Sequence, residues 1–281
     1  MSPTLFIALL GFGSLTAGLL GAITGLGGGV VLVPLLVTAF GVDIRYAIGA
    51  SIVSVIATSS GAASAYVKEG FSNVRVGMLL EVATTVGAVS GAWLAPHVPT
   101  RGLSAVFGIV LMGSAYLARH QEDHVDAQEP ADPLATLLRL DSSYPARDGT
   151  IRSYHVRNVP AGFGLMYVAG ILSGLLGIGS GAVKVLAMDR AMKLPLKVST
   201  TTSNFMIGVT AAASAGIYLR RGYIDPVVAT PVVLGVLFGS MVGSVILRRA
   251  PSARLRHVLV VVIMLLGIEM LVNAFTGRMG A

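Results

Sequence analysis

The sequence predicts an all-α polytopic membrane protein built from two homologous halves, and composition, segment length and an internal repeat support this fold class. Apolar residues make up 54% of the 281 residues, and charged residues make up only 12%. Several apolar segments reach the roughly 20 residues that a helix needs to cross about 30 Å of hydrocarbon. Glycine is abundant and aromatic residues are sparse, which is typical of membrane helices that approach one another through small side chains.

The internal repeat aligns the two halves without a gap at a constant offset of 152 residues. The aligned pairs of glycine, serine and tyrosine residues include Gly25 with Gly177, Gly27 with Gly179, Gly29 with Gly181, Ser51 with Ser203, and Tyr66 with Tyr218. The most informative difference is Lys184, because its counterpart is Leu32. We therefore divide the chain into a first membrane repeat (1–118), a central polar loop (119–159) and a second membrane repeat (160–281).

The net charge of +7 could indicate nucleic-acid binding, but the basic residues lie in short loops between apolar segments. That placement is typical of the cytoplasmic side of a membrane protein, so we predict no nucleic-acid partner. The chain contains no cysteine, which excludes disulfides, thiolate catalysis and iron–sulfur ligation. His120 and His124 lie four residues apart in a charged loop, a pattern that favours a solvated segment over a metal site. We expect neither a cofactor nor a metal.

A glycine-rich sequence interrupts one apolar segment in each half. In the first half, residues 4–24 are followed by GLGGG and by a short apolar piece at 28–40, which at 1.5 Å per residue covers only about 18 Å. The second half repeats this pattern with 161–177 and 181–191. Because such pieces cannot cross the bilayer unless they tilt strongly, we predict a broken or re-entrant helix in each half. The remaining predicted spans are 46–67, 74–96, 102–118, 199–219, 226–247 and 257–275.

The central polar loop contains a candidate β-hairpin. Tyr144 precedes an Asp148-Gly149 pair, and Ile151 and Tyr154 follow it. An Asp-Gly pair favours a tight turn between two short strands. We expect this hairpin to pack at the cytoplasmic surface of the membrane or to regulate the protein from there.

Lysine and arginine residues set the predicted orientation. Arg248, Arg249, Arg254 and Arg256 fill one short loop, which the positive-inside rule places in the cytoplasm. If each half makes an odd number of crossings, the halves have opposite orientations and most basic residues, including those of the central loop, gather inside. The sequence therefore predicts inverted repeats with both termini outside.

Two broken helices related by a pseudo-two-fold axis in the membrane plane would bring both glycine turns to mid-depth. Glycine lets the backbone adopt positive φ and lets a ligand approach the N–H groups. The helix after each turn would point its electropositive N-terminus at this centre, and Lys184 would add a full positive charge. A lysine at membrane depth is costly, so its default interpretation is functional. The candidate anion-binding residues are Gly25, Gly27, Gly28, Gly29, Ser51, Gly177, Gly179, Ser180, Gly181, Lys184, Thr202, Ser203 and Asn204.

Each of these features has a structural alternative. Lys184 could reach the interface or form a structural bridge with Glu81, the carboxylate well inside a predicted span. Glycines such as Gly18 and Gly170 can serve helix packing alone, and the hydroxyls that open the 199–219 span can bond back to their own helix. Glu81 could also act as a proton carrier in place of this structural bridge. Neither glycine turn has a P-loop sequence, and no histidine is placed to activate Ser180 as the nucleophile of a protease.

Residues in both halves resemble the TauE/SafE family of sulfite exporters, also called DUF81 proteins. The resemblance lies in GLGGGVVLVPLL and GIGSGAVKVLAM, in the polar span entries AIGASIVSV and VSTTTSNFMIGV, and in the PSARLR loop. It implies a multi-spanning inner-membrane carrier of sulfite, sulfonates or related organic anions. The second glycine motif differs from the first at Ser180, which replaces a glycine, at Lys184, and in lacking a counterpart of Pro34. The family motif maps onto Gly25, Gly27, Gly28, Gly29, Gly177, Gly179 and Gly181.

The leading hypothesis is a secondary transporter of the plasma membrane, not an enzyme, that exports a small anion such as sulfite or an organosulfonate. Alternating access would occur around the mid-membrane site. The alternative is a cation or metal-ion carrier with Glu81 as ligand, and a third class is a non-transporting membrane protein whose hairpin docks a partner. The expected partners are the anion and the lipid bilayer, and the sequence leaves a homo-oligomer open.

Overall fold

The structure is a computed structural model that describes residues 3–24, 28–68, 72–119, 132–145, 150–249 and 252–276. The helices of the first repeat are α1 (Pro3–Thr24), α2 (Gly29–Thr38), α3 (Ile44–Lys68), α4 (Val74–Leu94) and α5 (Thr100–Arg119). The central segment forms α6 (Pro133–Leu137), β1 (Ser142–Pro145) and β2 (Ile151–Tyr154). The second repeat forms α7 (Val159–Leu176), α8 (Gly181–Leu186), α9 (Leu196–Arg220), α10 (Pro226–Arg249) and α11 (Ser252–Thr276). A π-helical turn, Ala187–Ala191, continues α8.

Four helices in the described part of the chain are long and apolar enough to cross a membrane. They belong to α1, α4, α7 and α10, which are equivalent pairs under the 152-residue offset. These helices expose large apolar side chains, including Phe12, Met78, Trp93 and Phe238. Such side chains suit a lipid environment and would be unfavourable in water. The predicted polytopic helical membrane protein is confirmed.

The helices pack across the two repeats in equivalent pairs. Helix α1 packs on α10 as α4 packs on α7, and α3 contacts α10 as α4 contacts α9. Helices α3 and α9, and likewise α5 and α11, are counterparts that pack on each other. The repeat in the sequence is therefore also a repeat in packing.

Glycines allow close approach of the helix backbones at several of these interhelical contacts. A Cβ atom on Gly18 would collide with the backbone of Val236, and one on Gly170 with the backbone of Thr84. Both glycines and both contacted residues are aligned in the repeat. Gly18 and Gly170 therefore serve helix packing, as the structural alternative for these residues states.

The predicted β-hairpin is confirmed. Strands β1 and β2 pair antiparallel, from Ser142 opposite Tyr154 to Pro145 opposite Ile151, while the Asp148-Gly149 turn lies outside the described residues. Tyr154 and Val156 are buried in an apolar cluster with residues of α4, α7, α9 and the π-helical turn. The central segment thus packs on the helical domain and extends its core.

Helix α6 was not predicted from the sequence. Asp132 caps it by accepting a hydrogen bond from the N–H of Leu134, and Pro133 occupies its first position. Both are established signals for a helix start. Five residues are too few to show helical periodicity, so these start signals stood alone in the sequence.

Candidate functional site

The second glycine motif interrupts the helical backbone between α7 and α8. Gly177, Gly179 and Ser180 all have positive φ, at 67°, 70° and 49° respectively. Gly177 is the C-terminal cap of α7, and Ser180 immediately precedes α8. The predicted break is therefore present in this half, and its glycines occupy the backbone conformations that other residues resist.

Ser180 is the unexpected member of this turn. Its repeat counterpart, Gly28, has a right-handed φ of −59°, so the left-handed conformation falls on the serine and not on the glycine. Ser180 is buried, and its Oγ has no hydrogen-bond partner among the described residues. A strained backbone with an unpaired buried hydroxyl is a combination that proteins tolerate mainly at functional positions.

Gly29, the last glycine of the first motif, lies against the second glycine turn. A Cβ atom built on Gly29, at the start of α2, would lie 3.0 Å from the carbonyl oxygen of Gly177. Ser51 of α3 donates a 2.7 Å hydrogen bond to that same carbonyl oxygen. Because α2 is largely buried, this contact lies inside the protein. Gly28 lies beside the Val236 side chain, while Gly25 and Gly27 lie outside the described residues.

The other predicted hydroxyl residues are divided between two places. Ser203 donates to the carbonyl oxygen of Gly181 at 3.3 Å, so it lies at the second glycine turn. Thr202 accepts a 3.0 Å hydrogen bond from the N–H of Asn73, which places its hydroxyl at the start of α4. Asn204 is half-buried.

Lys184 is completely buried and takes part in a chain of hydrogen bonds. Its Nζ donates to Thr210 Oγ1 at 2.5 Å, and Thr210 Oγ1 donates to Glu81 Oε1 at 2.7 Å. Thr85 also donates to Oε1, at 3.3 Å. Lys184 and Glu81 are therefore linked through a hydroxyl, as the bridge alternative anticipates in part.

Thr210 is a candidate site residue that the sequence analysis did not identify. It lies seven residues after Ser203, which is two helical turns along the same face of α9. That spacing was a usable signal, because Ser203 was already a candidate. The Thr210 hydroxyl became visible as a link only when α4, α8 and α9 were placed together.

This polar cluster has no equivalent in the other half of the repeat. The counterparts of Lys184, Glu81 and Thr84 are Leu32, Val233 and Val236. Thr210 alone is matched by a hydroxyl residue, Thr58, whose Oγ1 donates to the carbonyl oxygen of Ser54 in its own helix. The pseudo-symmetric fold therefore carries an asymmetric charge site.

The part of the chain that the structure describes contains no group of three or more histidine, cysteine or acidic residues able to hold a metal ion. His120 and His124 lie outside that part. The expectation that the protein uses no metal stays a prediction.

Comparisons with known proteins give a consistent result. A sequence model described as sulfite exporter TauE/SafE matches residues 9–270. The chain is 26% identical over 275 residues to a Bacillus subtilis (strain 168) protein named probable membrane transporter protein YunE, covering 95% of this chain and 97% of that protein. It is 26% identical over 240 residues to another protein of that strain, probable membrane transporter protein YdhB, covering 85% and 89%. A probable membrane transporter protein of Methanocaldococcus jannaschii is 25% identical over 283 residues, covering 95% and 96%. No solved structure gives a significant match.

Proposed function

The chain belongs to the sulfite exporter TauE/SafE family, and on that premise we propose that it is a secondary transporter that exports a small anion such as sulfite or an organosulfonate. The family and the four apolar helices make it a multi-pass protein of the plasma membrane. Transport would occur by alternating access around a site between the two glycine turns. The names of the relatives specify neither a substrate nor a mechanism, so both are part of this proposal.

The observation that carries the proposal is the contact that Gly29, at the start of α2, and Ser51 make with the second glycine turn at Gly177. Broken helices that meet between two repeats are a common way to build a transport site, because their free N–H groups can hold an anion. Helix α2 starts at Gly29, and α8, with its π-helical continuation, starts at Gly181. The N-terminal ends of both would contribute partial positive charge.

The charge of the site favours an anion over a cation. Lys184 is hydrogen-bonded to Glu81 through Thr210, so a transported cation at Glu81 would be repelled by the ammonium group. Lys184 would instead neutralise a bound anion, with the Ser180 and Ser203 hydroxyls as further donors. Glu81 is the proposed proton-coupling residue.

The equivalent pairing of helices across the repeats supports alternating access. Two similar arrangements of one packing scheme can exchange at low cost, with each half taking the role of the other. Inverted orientation of the repeats and re-entry of α2 and α8 are part of the proposal.

The test is anion flux in proteoliposomes that contain the purified protein. Thermal-shift screening against sulfite, thiosulfate, sulfoacetate, taurine and simple carboxylates would select the substrate. Lys184→Ala should abolish flux at unchanged expression, whereas Leu32→Ala, at the equivalent buried position, should retain it. If Lys184→Ala transports normally while Glu81→Gln is inactive, the cation-carrier alternative is favoured.

A further inference from the structure

We propose that the Lys184, Thr210 and Glu81 cluster takes up one proton together with one anion, so that the transported species are monoanions carried with a proton. The inference rests on the proposed transport function and adds a substrate charge class and a coupling stoichiometry to it. It implies that monoanions such as bisulfite, sulfonates with one charge or monocarboxylates are preferred to dianions.

The hydroxyl group of Thr210 links the ammonium group of Lys184 to the carboxylate of Glu81. The hydroxyl has one hydrogen, and two strong acceptors lie within reach of it: Glu81 Oε1 at 2.7 Å and the carbonyl oxygen of Met206 at 2.9 Å. Its lone pair accepts from Lys184. An ionised carboxylate is the stronger acceptor, so ionised Glu81 holds the hydroxyl hydrogen, and protonated Glu81 leaves it to the Met206 carbonyl.

The charges of Lys184 and Glu81 set the number of protons that are taken up with each anion. With both groups ionised, Lys184 and Glu81 sum to zero, which is the state that a buried pair favours because an uncompensated buried charge is costly. An anion added to this neutral pair would leave a net negative charge. Protonation of Glu81 releases the charge of Lys184, and one monoanion then restores neutrality. The site with both groups ionised and no anion, and the site with one proton and one monoanion, are therefore both states without net charge.

The carboxylate has an open position for this proton. Oε1 of Glu81 accepts from Thr210 and Thr85, whereas Oε2 is buried and has no hydrogen-bond partner within the described residues. A buried carboxylate oxygen without a donor is expensive when it is ionised. The proton would therefore bind at Oε2 and leave the hydrogen-bonded oxygen in place.

The helices that pack against α4 bring no other charge to Glu81. Helix α7 contains no charged residue. The charged residues of α9 are Lys197 and Arg220, and at 1.5 Å per residue they lie about 20 Å and about 15 Å along the helix from Thr210.

The charged residues that follow next along α4 and after α8 interact with other groups. Arg75 at the start of α4 is exposed and donates to the carbonyl oxygen of Arg139. In the π-helical turn after α8, Arg190 Nε lies 3.9 Å from Asp189 Oδ2, so their opposite charges compensate each other. Among the charged residues of these described helices, Lys184 is the one that hydrogen bonds link to Glu81.

The repeat limits the site to one copy. The equivalent positions in the other half carry Leu32 and Val233 in place of Lys184 and Glu81, so they can hold neither an ammonium nor a proton. One asymmetric cluster in a two-fold scaffold predicts one proton and one anion per transport cycle.

The experiment measures proton uptake on anion binding by purified protein in weakly buffered detergent with a pH indicator dye. Isethionate is the probe, because its sulfonate stays a monoanion across the pH range used. Wild-type protein should take up about one proton per isethionate bound, with affinity that falls about tenfold for each pH unit of increase above the titration point. Sulfoacetate, a dianion of similar size, should bind at least about tenfold more weakly, since it leaves one uncompensated negative charge.

Variants separate the parts of the inference. Glu81→Gln should bind isethionate with no proton uptake and no pH dependence, and in proteoliposomes it should exchange anion but lose accumulation driven by a pH gradient. Thr210→Val should shift the pH profile and Thr210→Ser should restore it, while the matched control Thr58→Val should leave the profile unchanged.

The outcomes distinguish the two proposals. Isethionate or sulfite flux without proton uptake, or a Glu81→Gln variant that still takes up a proton, overturns the coupling inference and leaves the anion transporter standing. Absence of binding and flux for every anion of the screen overturns both.

Discussion

The hydroxyl of Ser51 in α3 donates a 2.7 Å hydrogen bond to the carbonyl oxygen of Gly177, 126 residues later in the chain. It joins a helix of the first repeat to the glycine turn of the second. The equivalent serine, Ser203, bonds instead to Gly181 within its own repeat. The two halves therefore use equivalent hydroxyls differently, and the site between them is not symmetric.

Ser51→Ala should destabilise the protein by about 1–3 kcal/mol, because it leaves the buried Gly177 carbonyl without its donor. It should also reduce anion flux, since the turn loses its fixed position. The measurement is the unfolding midpoint in detergent together with flux in proteoliposomes. Ser54→Ala is the control, because the buried Ser54 hydroxyl donates only within its own helix, to Ala50. Equal loss in both variants would contradict a special role for Ser51.

Ser180→Gly should stabilise the protein by about 1 kcal/mol, because glycine relieves the left-handed backbone. The same change should weaken anion binding, since it removes a buried hydroxyl that has no protein partner. Opposite changes in unfolding midpoint and in anion affinity, measured on the same preparation, would support a functional hydroxyl. A variant with full affinity would show that the hydroxyl takes no part in binding.

Lys184→Met and Glu81→Gln should each destabilise the protein, because each leaves the other partner buried without compensation. The double variant should lose less than the sum of the two, with a coupling free energy of about 1–3 kcal/mol. Thermal unfolding in detergent of the wild type, the two single variants and the double variant completes this double-mutant cycle. Additive losses would indicate that the Thr210 link carries no energy between the two residues.

Gly87→Ala should destabilise the protein by at least about 1–3 kcal/mol, because the added Cβ would collide with the backbone of Tyr167 in α7 and the cost is that of overpacking. Gly164→Ala in α7 is the control, since its Cβ would meet no atom within 4 Å. That variant should be neutral or stabilised by up to about 1 kcal/mol through helix propensity. Unfolding midpoints that fall equally for the two variants would argue against the close α4–α7 contact.

Tyr154→Phe should make the protein less sensitive to alkaline pH. Burial raises the pKa of the Tyr154 hydroxyl, which accepts a 2.9 Å hydrogen bond from Asn73 Nδ2. A raised pKa in the folded state means that the neutral phenol stabilises the fold fully below its unfolded pKa of about 10, and that this contribution is lost as the pH rises beyond it. Unfolding midpoints between about pH 9 and about pH 11 should therefore fall less steeply for the variant than for the wild type. Parallel curves would show that another group controls the alkaline transition.

The sequence by itself determined the local structure and the repeat. Apolar segment length and glycine clusters located the long helices to within a few residues at most of their ends, the Asp148-Gly149 pair indicated the hairpin, and the cost of a charge in lipid marked Lys184 as a functional candidate. These features depend on neighbours along the chain, so periodicity and composition reveal them. The orientation of the repeats stays a prediction.

Only the tertiary structure decided which side chains meet. The hydroxyl of Thr210 donates a hydrogen bond to Glu81, which lies 129 residues earlier in the chain. The hydroxyl of Thr202 accepts a hydrogen bond from the N–H of Asn73 across the same separation. The left-handed conformation falls on Ser180 although its counterpart is a glycine. Such pairings depend on how helices from both repeats are rotated about their axes when they pack, and no local pattern in the chain specifies that rotation.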